Sequence, residues 1–188
     1  YYRNNGGGAV VNAAINKYVY IIVNKKFDDQ VRVSYSKTEI VPSAEDVQHP
    51  LVREALRLLD IRKGVEIVSI SEIPSHGTCL GSSSTFTVGL LNALHAWVGE
   101  NASAKELAEE AVRIEREVVR DPGGRQDQYI AAYGGMRFME FRPDDSVDVR
   151  PIVMREDTFE DFQHSFLMFY TGKTRSGAAI LKGQIEKV

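Results

Sequence analysis

The residues best suited to chemistry sit at a junction. Pro74-Ser75-His76-Gly77-Thr78-Cys79-Leu80-Gly81-Ser82-Ser83-Ser84 is a run of small residues between a β-branched apolar stretch and a helical pattern. A helix that opens directly after such a loop exposes unpaired backbone N–H groups and the positive end of its dipole, so an anion can approach closely. Gly81 lets the backbone come near a phosphate, and the hydroxyls of Ser82, Ser83 and Ser84 can bind phosphate oxygens or a metal ion. Serine is also a preferred N-cap, and the spacing alone fits a phosphate cradle and a Ser-rich cap equally well.

Several neighbouring chemistries are excluded. No lysine follows Gly81, so the loop is not a Walker A. Gly172-Lys173-Thr174 fails the same motif because Leu167 stands where its first glycine belongs. Gly81-Ser82-Ser83-Ser84-Thr85 ends in threonine rather than the glycine of a nucleophile elbow, which argues against a serine hydrolase. His49, His95 and His164 are scattered without metal-ligand spacing and read as surface or core histidines. His76 reads as an exposed loop residue, Cys79 as a small packing residue and Trp97 as core. Of three cations that could meet an anionic substrate, Arg3 and Lys17 read as flanking strands, and Arg175, just past an expected strand end, is the best placed.

These residues need elements to hold them. Residues 9–23 read as one or two strands, continued by an alternating strand over 30–36 after a turn at Asp28-Asp29. Pro50 opens a helix of about three turns with Leu51, Ala55, Leu58 and Leu59 on one face, ending near Gly64. Residues 65–73 carry β-branched residues on both faces and read as a buried strand. Beyond the loop, Phe86, Leu90, Leu91, Leu94 and Trp97 mark a helix that stops at Gly99. Ser103 and Glu106 form a capping box for a helix whose face is Leu107, Ala111, Ile114 and Val118, ended by Asp121-Pro122-Gly123-Gly124. A short helix over Gln126 to Tyr133, a strand at 136–143, strands at 147–152 and 166–171, and a helix over 176–188 complete an α+β or α/β reading.

Composition sets the frame. With 23 Lys+Arg against 26 Asp+Glu the 188-residue chain carries a net charge of −3, which argues against a nucleic-acid binder. Hydrophobic residues at 43% suffice for a packed core, so disorder of the whole chain is not expected. The stretch AVVNAAINKYVYIIV is interrupted by Asn12, Asn16 and Lys17 and falls short of the roughly 20 apolar residues of a membrane span. The single cysteine points to a reducing, cytoplasmic compartment. With no initiating Met and no leader before Tyr1-Tyr2-Arg3, the chain reads as a fragment.

The residues PSHGTCLGSSS resemble the phosphate loop of the GHMP kinases, small-molecule kinases that include galactokinase, mevalonate kinase and heptose-phosphate kinases. Leu80-Gly81-Ser82-Ser83-Ser84 matches the family pattern. The first half departs from it, with four residues rather than three after Pro74 and Cys79 in place of a glycine. Gly124-Arg125-Gln126-Asp127-Gln128 resembles the segment that holds the family's catalytic base, and Ile114-Glu115-Arg116-Glu117 the helix that supplies its magnesium-binding glutamate. The wording is nearest the D-glycero-D-manno-heptose 7-phosphate kinases, through YYRNN, AINKYVYI, RVSYSKTEIV, HPLVREAL, TVGLLNALHA, QDQYIAAYGG and FYTGKTRS.

The resemblance implies transfer of the ATP γ-phosphate to the anomeric hydroxyl of a heptose 7-phosphate, giving the 1,7-bisphosphate. Gly77, Thr78, Leu80, Gly81, Ser82, Ser83 and Ser84 would hold the triphosphate, Ser83 or a neighbour and Glu115 would hold Mg²⁺, and Asp127 would take the hydroxyl proton. Phosphoryl transfer needs such a set whatever the ancestry: a metal held by a carboxylate or hydroxyl, and a group to orient the attacking oxygen. Read without the resemblance, Glu115 and Glu117 are ordinary solvent-facing helix charges and Asp127 a helix cap.

The implied fold is an N-terminal domain like the second domain of ribosomal protein S5 over residues 1–155, lacking its first strand. The start of a ferredoxin-like C-terminal domain follows over 156–188. A Gly-Gly-Gly-Thr-Asp loop is expected upstream of Tyr1, and Gly6-Gly7-Gly8 does not supply it. Rival readings are a GHMP kinase for fucose, galactose or mevalonate, and a catalytically inactive nucleotide-binding module.

Overall fold

Alternating apolar residues in the first third of the chain pair into strands, and residues at helical spacing in the middle third cover them. The computed structural model describes residues 2–73 and 80–169. Strands β1 (Gly8–Ala13), β2 (Val19–Lys25), β3 (Val31–Ser34) and β4 (Thr38–Val41) precede α1 (Pro50–Leu58) and β5 (Val65–Ser71). Helices α2 (Ser82–Val98), α3 (Ala104–Val112) and α4 (Gln126–Tyr133) follow, then strands β6 (Met136–Phe141) and β7 (Val147–Pro151), and helix α5 (Glu156–His164).

The strands form two sheets, ordered β1-β6-β7 and β2-β5-β3-β4. All pairs are antiparallel except β3 with β5. A parallel pair needs a crossover, and the intervening chain, through β4 and α1, supplies it. Helix α3 joins the two halves of the core. Leu107 and Ala111 pack with Val31, Val33, Val65 and Ile67 of the four-stranded sheet and with Leu90, Leu91 and Leu94 of α2. Ala108 and Val112, one position on, pack with Tyr129 of α4 and with Met139 and Phe141 of β6. The result is a layer of helices between two sheets, α+β as expected.

The expected capping box is present, with Ser103 Oγ accepting from Glu106 N and Glu106 Oε2 accepting from Ser103 N. Gly99 closes α2 in the left-handed region, φ 82°.

Four expectations need correction. Strand β5 is buried on one face only: Val65 and Ile67 turn inward, whereas Ile70 is 53% exposed, because the far face of its sheet has no layer over it among the described residues. Trp97, expected in the core, is 37% exposed at the last turn of α2, beyond the helices that cover its start. Val118, expected on the buried face, is 47% exposed. Here α3 continues as a π-helix over Arg113–Val118, with Val119 N donating to Ile114 O. The wider turn inserts one residue, so Val119 rather than Val118 reaches the core. Phe166 to Phe169 form no strand and are exposed. Helix α5, unexpected, precedes them. Strand β4 was likewise unexpected. The helix over 176–188, the loop residues 74–79 and Arg175 lie outside the described residues.

No helix of the described residues is long and apolar enough to cross a membrane.

Candidate functional site

The serines at the end of the loop are inside the helix. Gly81 is the N-cap of α2, with φ 71° in the left-handed region, and Ser82, Ser83 and Ser84 form the first turn. A glycine N-cap offers no side chain to the first-turn N–H groups, so no serine caps α2 at that position. Gly77 and Thr78, like His76 and Cys79, fall outside the described residues, while Leu80 is exposed.

The three serines differ. Ser83 is exposed. Ser84 is buried, and its Oγ donates to Glu115 Oε2 at 2.9 Å. Ser84 extends the inward stripe of Val88, Leu91 and Leu94 by one turn, which is the spacing that could have singled it out. Glu115 is 0% exposed, whereas Glu117 is exposed. The solvent-facing reading therefore fails for Glu115 and holds for Glu117. The π-helix places Glu115: Ile114 and Glu115 are both buried within it, one against the apolar core and one against α2 and α4.

Asp127 stands in the first turn of α4, where the helix dipole favours a carboxylate. It also lies against the N-terminus of α2: a Cβ built on Gly81 would be 3.6 Å from Asp127 Cβ and 3.8 Å from its Oδ2. Two helix N-termini thus meet at one carboxylate. Asp127, Gly81 and Ser82 share the wall of a cavity of about 630 Å³ with Asn12, Lys17 and Asn92. Lys17 was expected to flank a strand, and it does so, just before β2, on the wall of this cavity.

Gln128, adjacent to Asp127, turns the other way. It is fully buried, and its Nε2 donates to Glu115 Oε2 at 2.6 Å. Arg116 Nη2 lies 3.5 Å from the same oxygen, and Arg116 Nη1 donates to Asp121 O. The sequence reading assigned no role to Gln128 or Arg116, since no helical spacing connects residues on separate elements. Arg125, just before α4, donates to Asp145 O at 3.0 Å and anchors that helix to the β6–β7 turn. Arg3 forks onto both Asp145 carboxylate oxygens, at 2.8 Å each, and so is spent on structure.

The donor set fits a small hard cation. Ser84 brings a hydroxyl, Glu115 a carboxylate and Gln128 an amide oxygen. Glu115 Oε1 and Gln128 Oε1 are buried without a hydrogen-bond partner among the described residues, a costly arrangement unless another group meets them. Among the described residues no cluster of three His, Cys, Asp or Glu could hold a metal alone. Magnesium, bound by one or two carboxylates together with substrate phosphates, suits such a partial set.

The chain is similar to known proteins in sequence and fold. Residues 50–135 match the GHMP kinases N terminal domain. The D-glycero-alpha-D-manno-heptose 7-phosphate kinase of Campylobacter jejuni is 28% identical over 199 residues, covering 93% of this chain and 58% of that protein. The L-fucokinase/L-fucose-1-P guanylyltransferase of Bacteroides fragilis is 26% identical over 152 residues, 80% of this chain and 16% of that protein. Among solved structures, a D-glycero-D-manno-heptose 1-phosphate kinase from Bacteroides thetaiotaomicron superposes with a TM-score of 0.74 at 27% identity, covering 82% of this chain and 54% of that one. A mevalonate kinase at 20% identity and a TM-score of 0.62 shares the fold. The chain thus spans little more than half the length of the heptose kinases it matches.

Proposed function

We propose, from the match of residues 50–135 to the GHMP kinases N terminal domain, that the chain is the nucleotide-binding and catalytic part of an ATP-dependent sugar kinase. Its acceptor is the anomeric hydroxyl of D-glycero-D-manno-heptose 7-phosphate. One observation carries the reading: the Asp127 carboxylate sits against Gly81, the glycine N-cap of α2, on the wall of a cavity large enough for a sugar phosphate.

In this mechanism the first-turn N–H groups of α2 and the hydroxyls of Ser82 and Ser83 bind the triphosphate, with Gly77, Thr78 and Leu80 of the preceding loop. Asp127 accepts the proton of the attacking hydroxyl and orients its oxygen towards the phosphate. Glu115 and Ser84 would hold Mg²⁺, and the exposed Ser83 is left for phosphate oxygens. The cation, when bound, offsets charge on the phosphate oxygens. Lys17, at the cavity wall, is placed to meet an anionic acceptor. Residues 1–155 make the N-terminal domain and 156–188 begin a second, and the reaction belongs to a reducing cytoplasm.

The names of the relatives support a heptose phosphate and differ on the position of its phosphate. Turnover of Mg·ATP by the full-length protein is therefore measured against heptose 7-phosphate, heptose 1-phosphate, fucose, galactose and mevalonate. ADP release with heptose 7-phosphate alone is expected. Turnover only with another acceptor overturns the substrate, and calorimetric Mg·ATP binding without turnover on any acceptor overturns the enzyme in favour of a nucleotide-binding module.

A further inference from the structure

The amide of Gln128 takes no part in the mechanism above, yet it is one of the most enclosed polar groups in the protein. Its side chain is fully buried, and its Nε2 approaches Glu115 Oε2 to 2.6 Å. A carboxylate only accepts hydrogen bonds, so the amide atom facing it must be the nitrogen. The amide oxygen therefore faces elsewhere, and among the described residues nothing donates to it.

Glu115 is divided in the same way. Oε2 accepts from Gln128 and from Ser84 Oγ and lies 3.5 Å from Arg116 Nη2. Oε1, equally buried, has no partner among the described residues. All donors are gathered on one oxygen, and the lone pairs of the other are kept open.

We infer that Gln128 is a positioning residue: by donating to Oε2 it fixes the Glu115 carboxylate with Oε1 free for a divalent cation, and it brings its own amide oxygen beside that position. The inference rests on the kinase reading of this site. Glutamine is the side chain that meets both demands. Glutamate here would set a second carboxylate against the first, and one of the two would take up a proton. Asparagine is one methylene too short to span from the same backbone position. Methionine has the length and no donor. Groups that orient a metal-binding carboxylate commonly alter metal affinity by about 10- to 100-fold when replaced.

The test is Mn²⁺ binding to the full-length protein with a non-hydrolysable ATP analogue, followed by electron paramagnetic resonance, in parent and Gln128→Met. At least tenfold weaker Mn²⁺ binding is expected, with metal-free nucleotide binding unchanged and turnover restored by excess Mg²⁺. A purely structural role would not give that metal rescue. Mn²⁺ affinity within twofold of the parent overturns the inference. If Gln128→Met does not fold, Gln128→Asn is read by the same titration and the same twofold criterion. A parent that binds no Mn²⁺ with the nucleotide overturns the kinase reading itself, whereas equal binding by parent and variant overturns only the role of Gln128.

Discussion

Ser84 Oγ donates to Glu115 Oε2 at 2.9 Å across 31 positions of sequence, tying the first turn of α2 to the π-helix that extends α3. Both side chains are buried. The hydrogen bond connects the helix that would face the phosphates with the carboxylate that would hold the metal, so nucleotide and cation would be registered against each other before either arrives.

Removing that donor has a cost that can be separated from its neighbour's. Ser84→Ala leaves a buried carboxylate short of a partner, which costs about 1–3 kcal/mol. Ser83→Ala alters an exposed hydroxyl and should stay within about 0.5 kcal/mol of the parent. Urea denaturation of the two variants checks the difference. Equal midpoints would mean that the Ser84 bond contributes nothing.

Asp127→Asn preserves the size of the side chain packed against Gly81 but removes the proposed proton acceptor. General-base catalysis typically supplies about 10²–10⁴-fold, so turnover should fall by that order while calorimetric ATP affinity holds within a few-fold. Near-normal turnover would sink the base assignment.

Gly81→Ala tests backbone rather than space. The added Cβ would lie 3.6 Å from Asp127 Cβ, an ordinary contact, but φ is 71°. Holding an L-residue there costs about 1–2 kcal/mol. The variant should be destabilised by that amount in chemical denaturation and should bind ATP more weakly, because the first turn of α2 is the part that relaxes. Unchanged stability would show that the turn is not held in the left-handed region.

The helices around this site were legible because their apolar residues recur at helical spacing: Leu51 and Ala55 in α1, Leu91 and Leu94 in α2, Leu107 and Ala111 in α3. What periodicity cannot reveal is a change of period. The π-helix at Arg113–Val118 put Val118 outside and Glu115 inside, and no residue in that stretch announces it. Strand β4 is four residues long and held by pairing to β3, too short to alternate convincingly. Residues 166–171 read as a strand from apolar content alone. Phe159, Phe162 and Phe166 keep a helical spacing there, and the Phe162 ring packs against Phe166 at a tilt of 58°, with ring centroids 4.7 Å apart. At the site, residue types were readable but their partners were not. Asp127 and Gln128 are neighbours in sequence and face different sides of α4, a division that only the packing of α2 and α3 against that helix creates.

His95 links α2 to α3 and gives the fold a defined response to pH. Its Nδ1 lies 3.0 Å from Glu100 Oε2 and its Nε2 2.8 Å from Glu110 Oε2. Both partners are acceptors, so both nitrogens donate only when the ring is an imidazolium. Burial pushes the His95 pKa down, but the hydrogen bonds and charges of Glu110 and Glu100 outweigh it and leave it above the ordinary value of 6.5. Glu106 of α3 feels the same charge. A histidine whose folded pKa is raised binds its proton more tightly in the folded state, so its stabilisation is fully present below pH 6.5 and is lost as pH rises through the folded pKa. The unfolding free energy of the parent should therefore decline on the alkaline side of pH 6.5, and His95→Gln should flatten that part of the curve. Urea denaturation at half-unit steps from pH 5.5 to pH 9 measures both, and parallel curves for parent and variant would remove His95 as the source.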